Sequence, residues 1–187
     1  MDERWVNKGA FYGLKVETLG PRVTFSDLVE GEFVRVFVNY DDPRMTRFEI
    51  GNGGNVIPRL TLTRGEGLTE RAVLHYATKD DCKRLRVGIT IHRSAFSSLP
   101  HDFEKAPVEG FEEAFYVITP GKGLLEAEGM LGRESVDLAY PIRGGDLVAV
   151  PMGWHRVVAL PNEDNNLPKF AYVWGYLAKY PSWEKGI

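Results

Sequence analysis

A chain of 187 residues has the length of one domain and is long enough to bury a hydrophobic core. The formal net charge of −3 at pH 7 argues against a nucleic-acid partner, and the single cysteine, Cys82, excludes an internal disulfide framework and a cysteine-based zinc cage. The sequence near Met1 lacks a signal-peptide core and no apolar run reaches membrane-spanning length, so we expect a cytoplasmic protein without a membrane partner.

The first seventy residues combine turn residues with short apolar stretches. Strands are predicted here at residues 14–18, 33–38 and 47–50. Residues 24–28 can form a single helical turn with Ser26 as its cap, and residues 58–70 are predicted to be loop. We therefore expect residues 1–70 to form an N-terminal arm and edge strands that pack on a domain formed by residues 71–187.

Predicted strands continue after residue 70, and from residue 83 onward they arrive about every 8 to 12 residues, which is typical of a sandwich or barrel. They lie at residues 71–76, 83–91, 114–118, 124–130, 136–142, 147–150, 155–160 and 170–177. In the second of these, apolar residues from Leu85 to Ile91 occupy every other position and so share one face. No long stretch has a helical period, and a jelly roll would protect the strand edges.

Residues 144–160 contain two short strands and the turn residues that separate them. Gly144 and Gly145 predict a tight turn before the first strand, while Pro151 and Gly153 end that strand. His155 begins the second strand. We expect this histidine to lie at the mouth of the space that the strands enclose, as a metal ligand or as a strand-end residue bonded to the backbone.

The order of Gly145, Pro151, Gly153 and His155 resembles the second motif of the cupins, in which the histidine is a metal ligand. This resemblance implies an all-β fold, a cupin-type jelly-roll β-barrel with an N-terminal arm of short strands. It also makes a homodimer an expectation, since cupins often pair through their sheets.

Three stretches sharpen this resemblance, namely residues 97–101, 112–116 and 140–155. In the same order they are similar to motifs of the 5-deoxyglucuronate isomerases of inositol breakdown, and more distantly to the deoxy-keto-uronate isomerases. The likeness covers roughly residues 97–178. Two departures stand out: those isomerases have two barrels, and their His-x-His pair is here reduced to His101 followed by Asp102, Phe103 and Glu104.

The resemblance implies a divalent metal ion held by His101, Glu113 and His155. Two histidines with one or two carboxylates suit zinc, manganese, iron or nickel. The alternative for Glu113 is a surface position, and His75 and His92 lie outside any motif.

The remaining site residues follow from the chemistry of a sugar-acid isomerase. Glu104 or Asp102 is expected to move the proton between two carbons, and Arg93 to hold a carboxylate of the substrate. Arg156 is a weaker candidate for binding the substrate carboxylate, because strand alternation points its side chain away from that of His155. Tyr116 and Trp174 are assigned to substrate binding, with a place in the core as the alternative.

The sequence therefore predicts a metal-dependent isomerase of a sugar acid of the deoxy-uronate type or a related small polar metabolite. One alternative is a non-catalytic sugar-binding or regulatory cupin that has lost its metal. Another is a cupin dioxygenase. The expected partner is a small-molecule sugar acid.

Overall fold

A computed structural model of the chain describes residues 10–11, 13–51, 54–55, 59–63, 71–92, 113–118, 121–131, 134–150, 154–161 and 170–178. Within these ranges the protein consists of antiparallel strands and one short 3₁₀ turn, Pro43–Met45, without an α-helix. None of the described helical segments is long and apolar enough to cross a membrane. The predicted all-β class is confirmed.

The described strands form three sheets. In chain order they are β1 (Ala10–Phe11), β2 (Leu14–Leu19), β3 (Arg22–Asp27), β4 (Glu32–Phe37), β5 (Arg47–Ile50), β6 (Gly54–Asn55), β7 (Arg59–Thr63), β8 (Arg71–Ala77), β9 (Leu85–His92), β10 (Glu113–Val117), β11 (Lys122–Leu131), β12 (Glu134–Arg143), β13 (Leu147–Val150), β14 (Trp154–Ala159) and β15 (Ala171–Leu177). The N-terminal sheet contains β1 to β6 in order. The central sheet has the order β13-β10-β15-β9-β8-β7, and a three-stranded sheet has the order β12-β11-β14.

The N-terminal sheet is a meander of neighbouring antiparallel strands. Gly20, with a φ of 56°, supplies the positive backbone angle in the turn between β2 and β3. The helical turn predicted at residues 24–28 is wrong, because most of that segment lies in β3. Val23 and Phe25 alternate into the core there, and both neighbouring strands satisfy the backbone of β3.

The central sheet gains a strand that the sequence analysis missed. Residues 59–63 were predicted to be loop, but they form β7 and pair with β8, with Arg59 opposite His75 and Thr63 opposite Arg71. That prediction is wrong because β8 offers an otherwise unpaired edge, and pairing with it satisfies backbone groups on both strands.

The central sheet is covered on both faces. One face packs on the N-terminal sheet in a cluster that includes Val23, Phe25, Val87 and Val173. The other face packs on the three-stranded sheet and encloses the barrel interior. All of β10 and β15 is therefore buried, which explains why β15 and the part of β10 after Glu113 consist of apolar and aromatic residues.

Two glycines allow large side chains to lie flat against the central sheet, one on each face. A Cβ at Gly175 would lie 2.4 Å from Cδ1 of Phe25, on the N-terminal side. A Cβ at Gly88 would lie 2.3 Å from Cζ2 of Trp174, on the barrel side. Both positions therefore require the absence of a side chain.

Candidate functional site

A histidine and a glutamate meet inside the barrel. Nε2 of His155 lies 2.9 Å from Oε2 of Glu113, and both side chains are buried. Glu113 is the first residue of β10 in the central sheet, whereas His155 belongs to β14 in the three-stranded sheet. The contact thus joins two sheets, and it brings together two residues that are 42 positions apart in the sequence.

Strand alternation explains why these two side chains face each other. On β10, Glu113 shares its face with Phe115 and Val117, which belong to the barrel cluster. On β14, His155 shares its face with the buried residues Val157 and Ala159. The pair therefore lies at one end of two rows of apolar side chains, one on β10 and one on β14, that face the barrel interior.

The predicted third metal ligand, the predicted catalytic carboxylates and the arginine predicted to bind the substrate lie outside the described residues. These are His101, Asp102, Glu104 and Arg93, together with Pro151 and Gly153 of the motif that contains His155. Their roles stay predictions.

Tyr116 and Trp174, both assigned to substrate binding, lie on opposite faces of the central sheet. Tyr116 belongs to the cluster that faces the N-terminal sheet, where its hydroxyl lies 3.0 Å from that of Tyr40. Trp174 faces the barrel, with its ring centroid 5.1 Å from that of His75 in an edge-on arrangement. The structure thus separates Tyr116 from Glu113 and His155 and keeps Trp174 on their side.

Several polar residues of the barrel face were not identified from motifs. They are Arg71, His75, Arg86, Thr90, His92 and Tyr172. The alternation along β9 was a signal for three of them. Because Leu85, Val87 and Ile89 face the N-terminal sheet, the residues between and after them must face the barrel.

Tyr172 is a buried weak acid on the barrel face. Burial raises the pKa of its hydroxyl to about 12. The Glu113 carboxylate raises this pKa further, while the Arg71 guanidinium and a hydrogen bond with Thr90 lower it. The hydroxyl is therefore neutral at physiological pH and lies within electrostatic reach of one negative and one positive group.

A pocket of about 410 Å³ lies against the three-stranded sheet beside His155. Its lining residues are Glu126, Ala127, Glu128, Asp137, Leu138, Ala139, His155 and Arg156. Arg156 forms an ion pair with Glu126 on the neighbouring strand β11 and is much more exposed than the buried His155. Arg156 is therefore already engaged by a carboxylate, on the face away from the His155 side chain.

The donor atoms of Glu113 and His155 are an ordinary hydrogen-bond distance apart, which is also close to the spacing of two adjacent ligands of a divalent cation. Bonds from such an ion to nitrogen or oxygen are about 2.0–2.2 Å, so two ligands lie about 3 Å apart at right angles and about 3.4 Å apart in a tetrahedral site. The observed separation is 2.9 Å. No group of three or more histidine, cysteine or acidic side chains able to hold a metal occurs within the described part of the chain.

The central sheet and the three-stranded sheet enclose a buried interior, in agreement with the all-β barrel that the sequence predicted. Residues 60–166, more than half of the chain, match the model of the KduI/IolB family. The chain belongs to the KduI/IolB family.

The chain is also similar to individual proteins and solved structures. The 5-deoxy-glucuronate isomerase of Geobacillus kaustophilus (strain HTA426) is 32% identical over 105 residues, which are 52% of this chain and 38% of that protein. The chain thus matches well under half of that relative's length. The crystal structure of an IolB-like protein from Salmonella typhimurium LT2 superimposes with a TM-score of 0.53 at 16% identity, covering 96% of this chain and 76% of that one. A cupin superfamily protein from Desulfitobacterium hafniense DCB-2 gives a TM-score of 0.41 at 11% identity, covering 65% and 99%.

Proposed function

We propose that this chain is a metal-dependent isomerase that interconverts the aldose and ketose forms of a sugar acid of the deoxy-uronate type, or of a related small polar metabolite. The observation that carries the proposal is the buried contact between Glu113 and His155 inside the barrel. The 5-deoxy-glucuronate isomerase among the relatives supports the choice of reaction.

Glu113 and His155 would hold the metal, and His101 would be a third ligand. Three protein ligands leave coordination positions for two oxygens of the substrate. The ion would supply polarisation of the substrate carbonyl and of the adjacent hydroxyl, which acidifies the hydrogen to be transferred. Zinc, manganese, iron and nickel all accept this donor set.

The side chains around the pair bind the substrate and keep out water. Trp174 and Tyr176, whose rings stack at 5.9 Å between centroids, form an apolar wall on the central sheet. Tyr172 and Thr90 offer hydroxyl groups that can bond to those of a sugar. Proton transfer between the two carbons is assigned to Glu104 or Asp102, since a positioned carboxylate accelerates such a step by about 10²–10⁴-fold.

Metal content and isomerase activity, measured together, test this proposal. We expect the purified protein to contain a stoichiometric divalent metal and to convert 5-deoxyglucuronate to its ketose, as followed by NMR. Glu113→Gln and His155→Ala should each release the metal and lower kcat/KM by at least about 10²-fold. Glu17→Gln, an exposed glutamate on β2 paired with Lys15, is the matched control and should leave both quantities unchanged.

The alternative is a sugar-acid-binding protein without a metal. It is favoured by the incomplete His-x-His pair and by the direct hydrogen bond between Glu113 and His155, which satisfies these groups without an ion. Such a protein would bind the sugar acid in the presence of a chelator and would tolerate His155→Ala. Metal-free protein that binds glucuronate but does not isomerise any uronate would overturn the isomerase proposal.

A further inference from the structure

Arg71 is a charged residue of the barrel face, and one of its donor atoms has no acceptor among the described residues. It is the first residue of β8 and lies opposite His92 of β9, so both side chains share the barrel face. Its Nη1 atom is buried and has no hydrogen-bond acceptor among the described residues. A guanidinium carries five N–H donors, and a buried donor without an acceptor is unfavourable. An anion from outside the described chain would satisfy it.

The residues between Arg71 and Glu113 are suited to a polyhydroxylated ligand. The pairing register places Tyr172 and Thr90 opposite each other, in a row that continues to Val117 on β10 and Val73 on β8. The hydroxyls of Tyr172 and Thr90 are hydrogen-bonded to each other, and Tyr172 is influenced electrostatically by both Arg71 and Glu113. Two hydroxyls thus lie between a positive group and a negative group.

Glu113 and Arg71 are also separated from each other along the strand direction. Glu113 lies four residues along β10 from Val117, on one side of the row. Arg71 lies two residues along β8 from Val73, on the opposite side of the row. At about 3.3 Å per residue, the two backbones are about 20 Å apart along the strands. A sugar acid likewise carries its reacting carbons and its carboxylate at opposite ends of its chain.

We infer that Arg71 binds the carboxylate of the sugar acid and makes the protein select acids over neutral sugars. Planar guanidinium groups hold carboxylates through two parallel hydrogen bonds, which a lysine cannot reproduce. The inference rests on the proposed function for the class of ligand, and it gives Arg71 the role that the sequence analysis assigned to Arg93. Arg71 is a specificity-determining residue, because it contacts the substrate away from the reacting carbons.

Calorimetric titration with D-glucuronate and with D-glucose, its neutral counterpart, tests this inference. We expect the parent protein to bind glucuronate at least about tenfold more tightly than glucose. Arg71→Met should weaken glucuronate binding by about 10–100-fold and leave glucose binding unchanged, because charge-assisted hydrogen bonds are lost only for the acid. Arg71→Lys should restore part of the difference through its charge alone.

Arg35→Met is the matched control, since Arg35 lies on β4 of the N-terminal sheet over the ring of Phe33. It should bind both sugars as the parent does. If Arg71→Met fails to fold, Arg71→Lys carries the test through the ratio of the two affinities. The inference is overturned if the folded Arg71 variants keep the parent's preference for glucuronate, or if the parent has no such preference.

Isomerase assays on the same samples separate this inference from the proposed function. A parent that isomerises 5-deoxyglucuronate while Arg71→Met keeps an unchanged KM supports the function and refutes the role of Arg71. A parent that isomerises no uronate, but loses its preference for glucuronate in Arg71→Met, refutes the function and supports the role of Arg71.

Discussion

The two faces of the central sheet are built from the same strands but have different composition. The face toward the N-terminal sheet is almost wholly apolar, with Val87, Ile89 and Val173 packed against Val23 and Phe25. The face toward the three-stranded sheet mixes aromatic residues with buried polar and charged groups. Both faces bury apolar side chains, but the barrel face also presents polar groups that a small molecule would contact.

This comparison shows how a sheet that is covered on both sides separates stability from chemistry. Because neighbouring residues of a strand point to opposite faces, Glu113 and Ala114 lie in different environments although they are adjacent in sequence. A change on the N-terminal side should therefore alter stability alone. A change on the barrel side should alter ligand or metal binding as well.

The largest expected effect is on the N-terminal side, at Phe25. This side chain is fully buried against Gly175, so Phe25→Ala should lower the free energy of unfolding by about 3–5 kcal/mol. Urea denaturation measures the loss. Leu19→Ala, at a side chain that is 67% exposed, should change stability by less than about 0.5 kcal/mol. Equal losses in the two variants would contradict the assignment of this face as the main core.

The glycine pair tests whether the two faces differ in function. Gly175→Ala and Gly88→Ala should each cost about 1–3 kcal/mol, because each new methyl group overlaps an aromatic ring. Gly88→Ala must also move Trp174, so it should change the tryptophan fluorescence spectrum and weaken sugar-acid binding. Folded Gly175→Ala protein should bind the sugar acid normally. Equal effects of the two variants on binding would remove the distinction between the faces.

Stability measurements at alkaline pH test one buried weak acid in the cluster on each face of the central sheet. Burial, with smaller contributions from Glu32 and Asp81, raises the pKa of the Cys82 thiol to about 12, and burial raises that of Tyr172 to about 12. The native state keeps both protons when the unfolded chain has begun to lose them. Their contribution to stability is therefore intact below about pH 9 for Cys82 and about pH 10 for Tyr172.

Above these values stability should fall as pH rises, by at most about 1.4 kcal/mol per pH unit for each group, until about pH 12. Urea denaturation at pH 8 to about pH 10.5 measures this decline. Cys82→Ala should make this decline of stability smaller above about pH 9. Tyr172→Phe should make it smaller only above about pH 10. A decline that begins at the same pH and has the same slope in both variants as in the parent would contradict the assignment.

The smallest expected effect concerns the contact between the hydroxyls of Tyr40 and Tyr116. Tyr40→Phe leaves the hydroxyl of the buried Tyr116 without this partner and should cost about 1–1.5 kcal/mol. Tyr116→Phe leaves the hydroxyl of Tyr40, which is 44% exposed, free to bond to water, and should cost less. Thermal unfolding of both variants measures the difference, and neither should affect sugar-acid binding. A larger loss in Tyr116→Phe would contradict the proposed asymmetry.

Much of the fold could be predicted from local sequence patterns. Residues 47–50 and 147–150 were predicted as the strands β5 and β13 with the observed bounds. The alternation from Leu85 to Ile89 correctly assigned one face of β9. The errors at residues 24–28 and 59–63 have a shared cause, since both segments become strands through pairing with neighbours that no local window contains.

The sequence by itself determined the all-β class and most strand positions, and it singled out Glu113 and His155 as predicted ligands, because turn residues, period-two alternation and short motifs are local properties. Only the tertiary structure decided which side chains meet. It placed Glu113 against His155, moved Tyr116 to the opposite face, and put Arg71 in the barrel with Tyr172. The physical reason is that the register of paired strands and the stacking of sheets depend on contacts between distant residues.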